Sequence, residues 1–265
     1  MNRAERVPVL MYHRVGPAHN AWEARYAIAP EAFAAHMQAL RRKGFRAVTI
    51  DALVTWLVGG PALPEDAILV TFDDGFRGVR DHALPVLERL GWPFTVFLVS
   101  DLIGQDDAWT RAANPAGVTY PLLDADEIRD MQMRGVSFHS HTRSHASLPT
   151  LDDAALADQL RGSREQLSTL LGHEVPYLAY PFGHADERVE AAARGAGYRA
   201  AFSTRSGFNR RDVNPFQIRR LDIYGTDTPA MLLRKIRLGS NDGSLGYAAR
   251  YYLDRVKSHL TGVHA

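Results

Sequence analysis

Two adjacent carboxylates, Asp73 and Asp74, follow an apolar run at residues 67–70 and precede Gly75. Adjacent residues on an extended chain point to opposite sides, so two acids at a strand end rarely do the same job. One can bind a cation while the other, turned by the bend at the glycine, acts as a base. The alternative is an Asp-Gly turn with solvated carboxylates, which the preceding apolar run disfavours.

Three histidines, His139, His141 and His145, lie within seven residues of one another. His141 and His145 would share one side of a helical turn, whereas His139 and His141 would share one face of a strand. The sequence does not choose between these pairs, and solvated histidines on a polar loop are a further alternative. Two histidines and one carboxylate, with open positions for water, form a catalytic site suited to Zn²⁺ or another divalent first-row ion.

Short β-rich runs alternate with helical patterns along the chain, which is typical of a parallel α/β domain. We predict strands at residues 7–12, 45–50, 67–72, 93–99, 136–138, 176–180, 200–203 and 217–223. We predict helices at residues 30–43, 52–58, 80–90, 124–134, 151–171 and 187–195. The expected fold is α/β, a single-domain irregular (β/α) barrel of about seven parallel strands. Such barrels carry their chemistry at the C-terminal ends of the strands.

Residues 1–265 are expected to form one domain, with a helical C-terminal extension from about residue 229. The cations of this extension stand among Leu, Ile and Tyr residues, so it could contact a membrane surface or a synthase partner. The alternative is a helix that covers the barrel with its cations in water. These cations are Arg234, Lys235, Arg237, Arg250, Arg255 and Lys257.

The composition limits the function classes that remain. The net charge of +1 gives no electrostatic footprint for nucleic acid. The absence of cysteine excludes a thiolate-ligated zinc, so a metal must use His, Asp, Glu or water. No run approaches the roughly 20 apolar residues of a membrane span, and the N-terminus lacks a signal-peptide core. We therefore expect a cytoplasmic protein. A sequence from which a signal peptide had already been removed would show the same features, and that protein would be periplasmic or secreted.

Residues 71–75, Thr-Phe-Asp-Asp-Gly, and residues 140–145, Ser-His-Thr-Arg-Ser-His, together resemble the paired motifs of the polysaccharide deacetylase family, carbohydrate esterase family 4. Residues 8–13 and 179–183 are similar to a subgroup that includes the biofilm poly-N-acetylglucosamine deacetylases. The resemblance covers residues 7–223. It implies a (β/α) barrel that hydrolyses the acetamide of an N-acetylated poly- or oligosaccharide. It also implies a divalent metal, Zn²⁺ or in its place Co²⁺, Ni²⁺ or Mn²⁺.

The resemblance assigns roles to the residues of the two main motifs. Asp73 would be the general base, and Asp74 would hold the metal together with His141 and His145. His139 would then only support the site.

Further roles follow from the other matching segments. The backbone N–H of Phe182 would bind the oxyanion, and His13, at the end of the first strand, would be the general acid. Many family members carry an arginine that steadies the base where this chain has Ala179. Arg220 is the best substitute for that arginine, and Arg219 is the alternative.

Three aromatic residues, Tyr12, Tyr180 and Trp109, are expected to line a sugar-binding groove, although aromatic side chains at strand ends are often core. The substrate is an open question for the sequence. A cytoplasmic nucleotide- or lipid-linked sugar or a small acylated metabolite is the alternative to a glycan. A catalytically dead glycan-binding barrel should have lost a ligand or the base, and this chain retains them all.

Overall fold

The computed structural model describes residues 6–261, with side chains as far as residue 254. Parts of two expectations, the terminal residues of the domain and the side chains of Arg255 and Lys257, lie outside the described residues. Most of the strands in the described part belong to one parallel sheet. The strands are β1 (Val9–Tyr12), β2 (Arg14–Val15), β3 (Ala27–Ile28), β4 (Arg46–Ala47), β5 (Ala67–Phe72), β6 (Thr95–Leu98), β7 (Ser137–Ser140), β8 (Tyr177–Ala179), β9 (Ala200–Phe202) and β10 (Leu221–Asp222).

The main sheet curves into an irregular barrel, as the sequence predicts. Its strand order is β10-β1-β5-β6-β7-β8-β9, and β4 pairs with the start of β5. Phe202 of β9 forms a parallel bridge with Ile218, while Leu221 of β10 pairs with Leu10 of β1. The segment 218–222, which includes β10, therefore contacts both β9 and β1 and brings the two ends of the sheet together.

Helices pack around the outside of the sheet. They are α1 (Pro30–Arg42), α2 (Ile50–Leu57), α3 (Leu84–Leu90), α4 (Ala125–Met133), α5 (Asp153–Ala157), α6 (Ser163–Leu171), α7 (Glu187–Gly195), α8 (Pro229–Leu238) and α9 (Leu245–Thr261). In the described part of the chain, no helix is both long enough and apolar enough to cross a membrane.

Alternation along the strands decides which side chains reach the site. Leu10 and Tyr12 of β1 belong to the outer apolar cluster, in which Phe33 and Met37 of α1 are also buried. Val9 belongs to the cluster that contains the inner residues of the other strands. Successive strand residues point to opposite faces of the sheet. The side chains of alternate residues therefore point into the barrel, and those at the C-terminal strand ends lie at its open end.

Several local features differ in detail from the predictions. The predicted helix 151–171 is helical from Asp153 to Leu171, but a wide π-helical turn at Asp158–Gly162 separates α5 from α6. Helix α2 begins two residues earlier than predicted, and Thr49 caps it in place of Asp51 by accepting a hydrogen bond from the Ala52 N–H. The short parallel pair β2–β3 was not predicted, since two-residue strands carry no detectable periodicity.

Candidate active site

The C-terminal ends of the strands surround a cavity of about 440 Å³. Its lining residues come from at least six strand ends or the segments that follow them, which is the usual place for chemistry in a parallel barrel. Most of the residues singled out by the sequence line this one cavity: His13, Asp73, Asp74, Trp109, His141, His145, Tyr180 and Phe182.

Asp73 is held by a buried arginine from the other end of the chain. The Arg220 guanidinium donates to both carboxylate oxygens, with Nη1–Oδ1 at 2.6 Å and Nη2–Oδ2 at 2.7 Å. Arg220 is fully buried, and its Nε donates to the Ser203 carbonyl. Burial alone would raise the pKa of Asp73, but the charge of Arg220, aided by His141, lowers it to about 2. Asp73 is therefore ionised at neutral pH. Arg219 is exposed and does not take this role.

Asp74, His141 and His145 form a compact set of possible metal ligands. One donor atom from each lies within 4.8 Å of the others. The Asp74 Oδ1 atom is 3.5 Å from His141 Nε2 and 3.4 Å from His145 Nε2, and it is buried without a hydrogen-bond partner. The His141–His145 pair, rather than His139–His141, is thus the one that the fold brings to the carboxylate.

The electrostatics of this set fit a divalent cation. Burial and the nearby Asp73 charge raise the pKa of Asp74. Burial lowers the pKa of His141 to about 4 and places that of His145 well below its usual value. Neutral imidazoles around an unpaired, buried carboxylate oxygen leave three lone pairs facing one point, and a cation is the group that would satisfy them.

The two imidazoles are oriented by their surroundings. His141 Nδ1 lies 2.8 Å from the Ala179 carbonyl, which accepts the N–H and leaves Nε2 as the free lone pair. The His145 ring lies between two aromatic rings. It stacks on Trp109, with centroids 4.7 Å apart, and meets Phe182 edge-on at 4.6 Å.

Backbone strain in the described residues is concentrated at this site. Four non-glycine residues between 6 and 261 have a positive φ: Asp74, Thr142, His145 and Phe182, with values from 60° to 73°. Gly75 is also left-handed, and a Cβ there would lie 2.6 Å from Leu98 Cδ2. Such conformations persist only where neighbouring structure fixes them, and they cluster at functional sites.

The loop at residues 141–145 is fixed from outside. Arg143 forms ion pairs with Asp101, Nε–Oδ1 3.1 Å, and with Asp158, Nη1–Oδ2 2.6 Å. The Gln159 side-chain oxygen accepts from the backbone N–H groups of Arg143 and Ser144 at 3.2 and 3.0 Å. Asp158 and Gln159 belong to the wide turn between α5 and α6. This irregular turn therefore supplies two of the side chains that hold the loop in place.

His13 lies across the cavity on the β1 side. Its Nδ1 is buried without a hydrogen-bond partner, and its ring meets Tyr26 edge-on at 5.5 Å. Asp222, which follows Arg220 by two residues, also lines the cavity. Burial raises the pKa of Asp222, and the His13 charge opposes that rise. Asp222 lies two residues after Arg220 and would share a strand face with it, so the sequence could have identified Asp222 as a cavity residue.

The structure corrects two expectations for aromatic residues. Tyr12 is fully buried, stacks on Phe72 at 5.6 Å and hydrogen-bonds His36, so it cannot contact a sugar. The reason is parity, because Met11 and His13 face the cavity while Tyr12 faces the helices. Tyr180 touches the cavity wall, but none of its surface is exposed, and it packs in the cluster of α5–α7. Neither ring offers a free face.

His139 supports the barrel interior. Its Nε2 lies 2.9 Å from the Ser137 hydroxyl, and its ring meets Tyr177 edge-on at 4.7 Å. Burial lowers its pKa to about 3.

Several polar residues of the cavity wall were not identified from the sequence. Glu23 accepts hydrogen bonds from Arg14, Tyr120 and Asn114, although these residues are far apart in the chain. Asp107 is buried, and its carboxylate accepts from the Tyr120 N–H and the Thr110 hydroxyl. These segments come together only in the folded chain, and no local sequence pattern predicts their contacts.

Comparisons with known proteins agree with this geometry. The family model for polysaccharide deacetylase matches residues 60–201, more than half of the chain. The sequence is 24% identical to YxkH of Bacillus subtilis over 218 residues, covering 82% of this chain and 71% of YxkH. It is 22% identical to the poly-beta-1,6-N-acetyl-D-glucosamine N-deacetylase of Staphylococcus epidermidis over 205 residues, 74% of this chain and 68% of the relative. The solved structure of IcaB from Ammonifex degensii is similar, with a TM-score of 0.71 and 28% identity over 89% of this chain and 97% of IcaB.

Proposed function

The chain belongs to the polysaccharide deacetylase family, and from this premise we propose that it is a metal-dependent de-N-acetylase of sugars of the N-acetylglucosamine type. The observation that carries the proposal is the meeting of an arginine-paired Asp73 with the Asp74–His141–His145 set in one cavity. The name of the staphylococcal relative supports a β-1,6-linked N-acetylglucosamine polymer as the substrate.

Asp74, His141 and His145 would hold the metal. A divalent cation bound there, Zn²⁺ in the first instance, would supply a Lewis acid that polarises a water and the amide carbonyl. The remaining work falls to the chain's own groups. Asp73 accepts the proton of the attacking water, and Arg220 keeps it ionised for that purpose.

Collapse of the tetrahedral species needs an acid and an anion-binding donor. The leaving amine is too basic to depart as an anion, so His13, which lines the cavity, donates a proton to it. The backbone N–H of Phe182 donates to the oxyanion. Phe182 lines the cavity and has a left-handed backbone, with φ of 60°.

Acetate release from soluble N-acetylglucosamine oligomers tests the proposal directly. We expect purified protein to contain a divalent metal, to lose activity with a chelator and to regain it with Zn²⁺. The Asp73→Asn variant should lose about 10²–10⁴-fold in rate because it lacks the base. Asp126→Asn is the matched control, since the Asp126 carboxylate is 95% exposed and lies on α4. Hydrolysis that is untouched by chelation would refute the metal mechanism.

A further inference from the structure

One wall of the cavity presents an aromatic face next to His13. Trp22 and Tyr26 belong to the segment between β2 and β3, and both line the cavity. Their rings pack against each other with centroids 5.2 Å apart, and Tyr26 meets the edge of His13 at 5.5 Å. Tyr26 is 36% exposed and Trp22 is partly exposed. These two rings therefore offer apolar surface that the protein itself does not cover.

The chemistry places the sugar on this side. In a de-N-acetylation the leaving group is the sugar amine, and its nitrogen is bonded directly to a carbon of the sugar ring. Because His13 donates its proton to this nitrogen, the sugar ring must lie close to His13. We propose that Trp22 and Tyr26 form the subsite for the sugar ring that carries the scissile acetamide, with the apolar face of the pyranose against their rings. This inference rests on the proposed function.

The aromatic pair on the opposite side has other partners. Trp109 stacks one face on His145, with an interplanar angle of 20°, and Phe182 packs its edge region against the same imidazole. These rings enclose a metal ligand, and one face of Trp109 is already occupied. The expected sugar contact of Trp109 is therefore assigned instead to Trp22 and Tyr26.

Glu23, between the two aromatic residues in sequence, fixes the subsite. Its side chain is 2% exposed. It accepts hydrogen bonds from Arg14 Nη2 at 3.1 Å, the Tyr120 hydroxyl at 2.8 Å, Asn114 Nδ2 at 3.0 Å and the His19 N–H at 2.9 Å. Asn114 and Tyr120 come from the segment after β6. Glu23 thus ties the Trp22–Tyr26 segment to the facing wall, and we assign it as a positioning residue for the subsite.

The test compares a sugar substrate with an acetyl ester that has no sugar. The wild type, Trp22→Ala, Tyr26→Ala and Tyr26→Phe proteins are assayed on N-acetylglucosamine oligomers and on 4-nitrophenyl acetate. For each Ala variant we expect the ratio of kcat/KM on oligomer to that on ester to fall about tenfold, mainly through KM. Tyr26→Phe should keep most of the affinity because it retains the ring face. Tyr252→Ala, with a similarly exposed ring (41%) on α9, is the control.

The remaining arms separate the possible failures. Glu23→Gln should raise KM for the oligomer in the same direction, but by less than the Ala variants, because one acceptor oxygen remains. Melting curves show which variants fold. If Trp22→Ala does not fold, Tyr26→Ala tests the subsite. An unchanged ratio in folded Ala variants overturns the subsite while leaving the proposed function intact. A wild type that hydrolyses the ester but no oligomer overturns both.

Discussion

At the scale of single residues, the proposed base, Asp73, is held by an arginine 147 positions away in the chain. Family members often place the arginine at the position of Ala179, and here Arg220, directly before β10, supplies it. Asp73 is buried, so without a cation its carboxylate would hold a proton more tightly. The bidentate contact from Arg220 therefore does two things, since it orients the carboxylate and keeps it ionised.

Replacing Arg220 should shift the acid limb of the pH–rate profile. In the wild type the pKa of Asp73 is about 2, so the base is available throughout the ordinary pH range. In Arg220→Gln, burial is no longer opposed by the guanidinium, and the pKa of Asp73 rises. We expect kcat/KM to fall about 10²-fold at neutral pH through misplacement of the base, and the acid limb to move to higher pH. The pH dependence of kcat/KM measures both effects.

Arg219→Gln is the control for this prediction, because Arg219 is the exposed neighbour and should leave the profile in place. An Arg220→Gln enzyme with the wild-type profile and rate would show that Asp73 functions without its arginine.

At the scale of elements, the loop at residues 141–145, which carries two of the proposed metal ligands, is held by side chains outside the proposed metal site. Thr142 and His145 both have left-handed backbones, which cost energy outside glycine. Arg143 and Gln159 hold the loop against the wide turn Asp158–Gly162. The turn departs from regular α-helix, and in doing so it places both Asp158 and Gln159 against the loop.

Gln159→Leu should weaken metal binding while the fold persists. The Leu side chain has a similar size but cannot accept from the N–H groups of Arg143 and Ser144. Because supporting contacts of this kind commonly contribute 10–100-fold to metal affinity, we expect a loss of about that size. Competition with a chromophoric chelator for Zn²⁺ measures it. Gln132→Leu, which removes a contact between α4 and the Leu171 carbonyl, should leave metal affinity unchanged. Equal losses in both variants would contradict a specific role for Gln159.

The same elements show what the sequence could and could not predict. The strands and most helices follow from local patterns, since apolar runs are continuous in the chain. The choice of Asp74, His141 and His145 as metal ligands comes from the resemblance of two motifs to a known family. The sequence places Tyr12 beside the site. It does not show that the Tyr12 side chain points away from the cavity, which depends on whether Tyr12 or its neighbour His13 faces inward. The Glu23 contacts and the wide turn at 158–162 arise only from tertiary packing, which no local period encodes.

At the scale of the whole molecule, helix α8 supports the segment that carries Arg220 and β10. Lys235 was expected to be one of several exposed cations, but it is 1% exposed. Its Nζ donates to the Asp222 carbonyl at 2.9 Å and pairs with the buried carboxylate of Asp227. This ammonium does not contribute to a membrane or partner contact. It links α8 to β10, which lies within the segment 218–222 that joins β9 to β1.

Removing the charge of Lys235 should therefore destabilise the protein far more than removing an exposed charge on the same helix. Lys235→Met leaves the Asp227 carboxylate buried without its cation, which typically costs about 3–5 kcal/mol. Arg237→Met is the matched control. Arg237 is exposed on α8, so its free energy of unfolding should change by less than about 0.5 kcal/mol. Urea denaturation measures both.

The double variant Lys235→Met, Asp227→Leu should recover much of the loss, because it removes the unpaired carboxylate and leaves apolar side chains of similar size. If Lys235→Met were as stable as Arg237→Met, the ion pair would not join α8 to the barrel. If the single variant were destabilised and the double variant equally so, the loss would come from the hydrogen bonds that this pair makes to its neighbours, from Lys235 to the Asp222 carbonyl and from the Tyr224 N–H to Asp227. The link between α8 and the strand that follows Arg220 would then rest on these hydrogen bonds and not on relief of a buried charge.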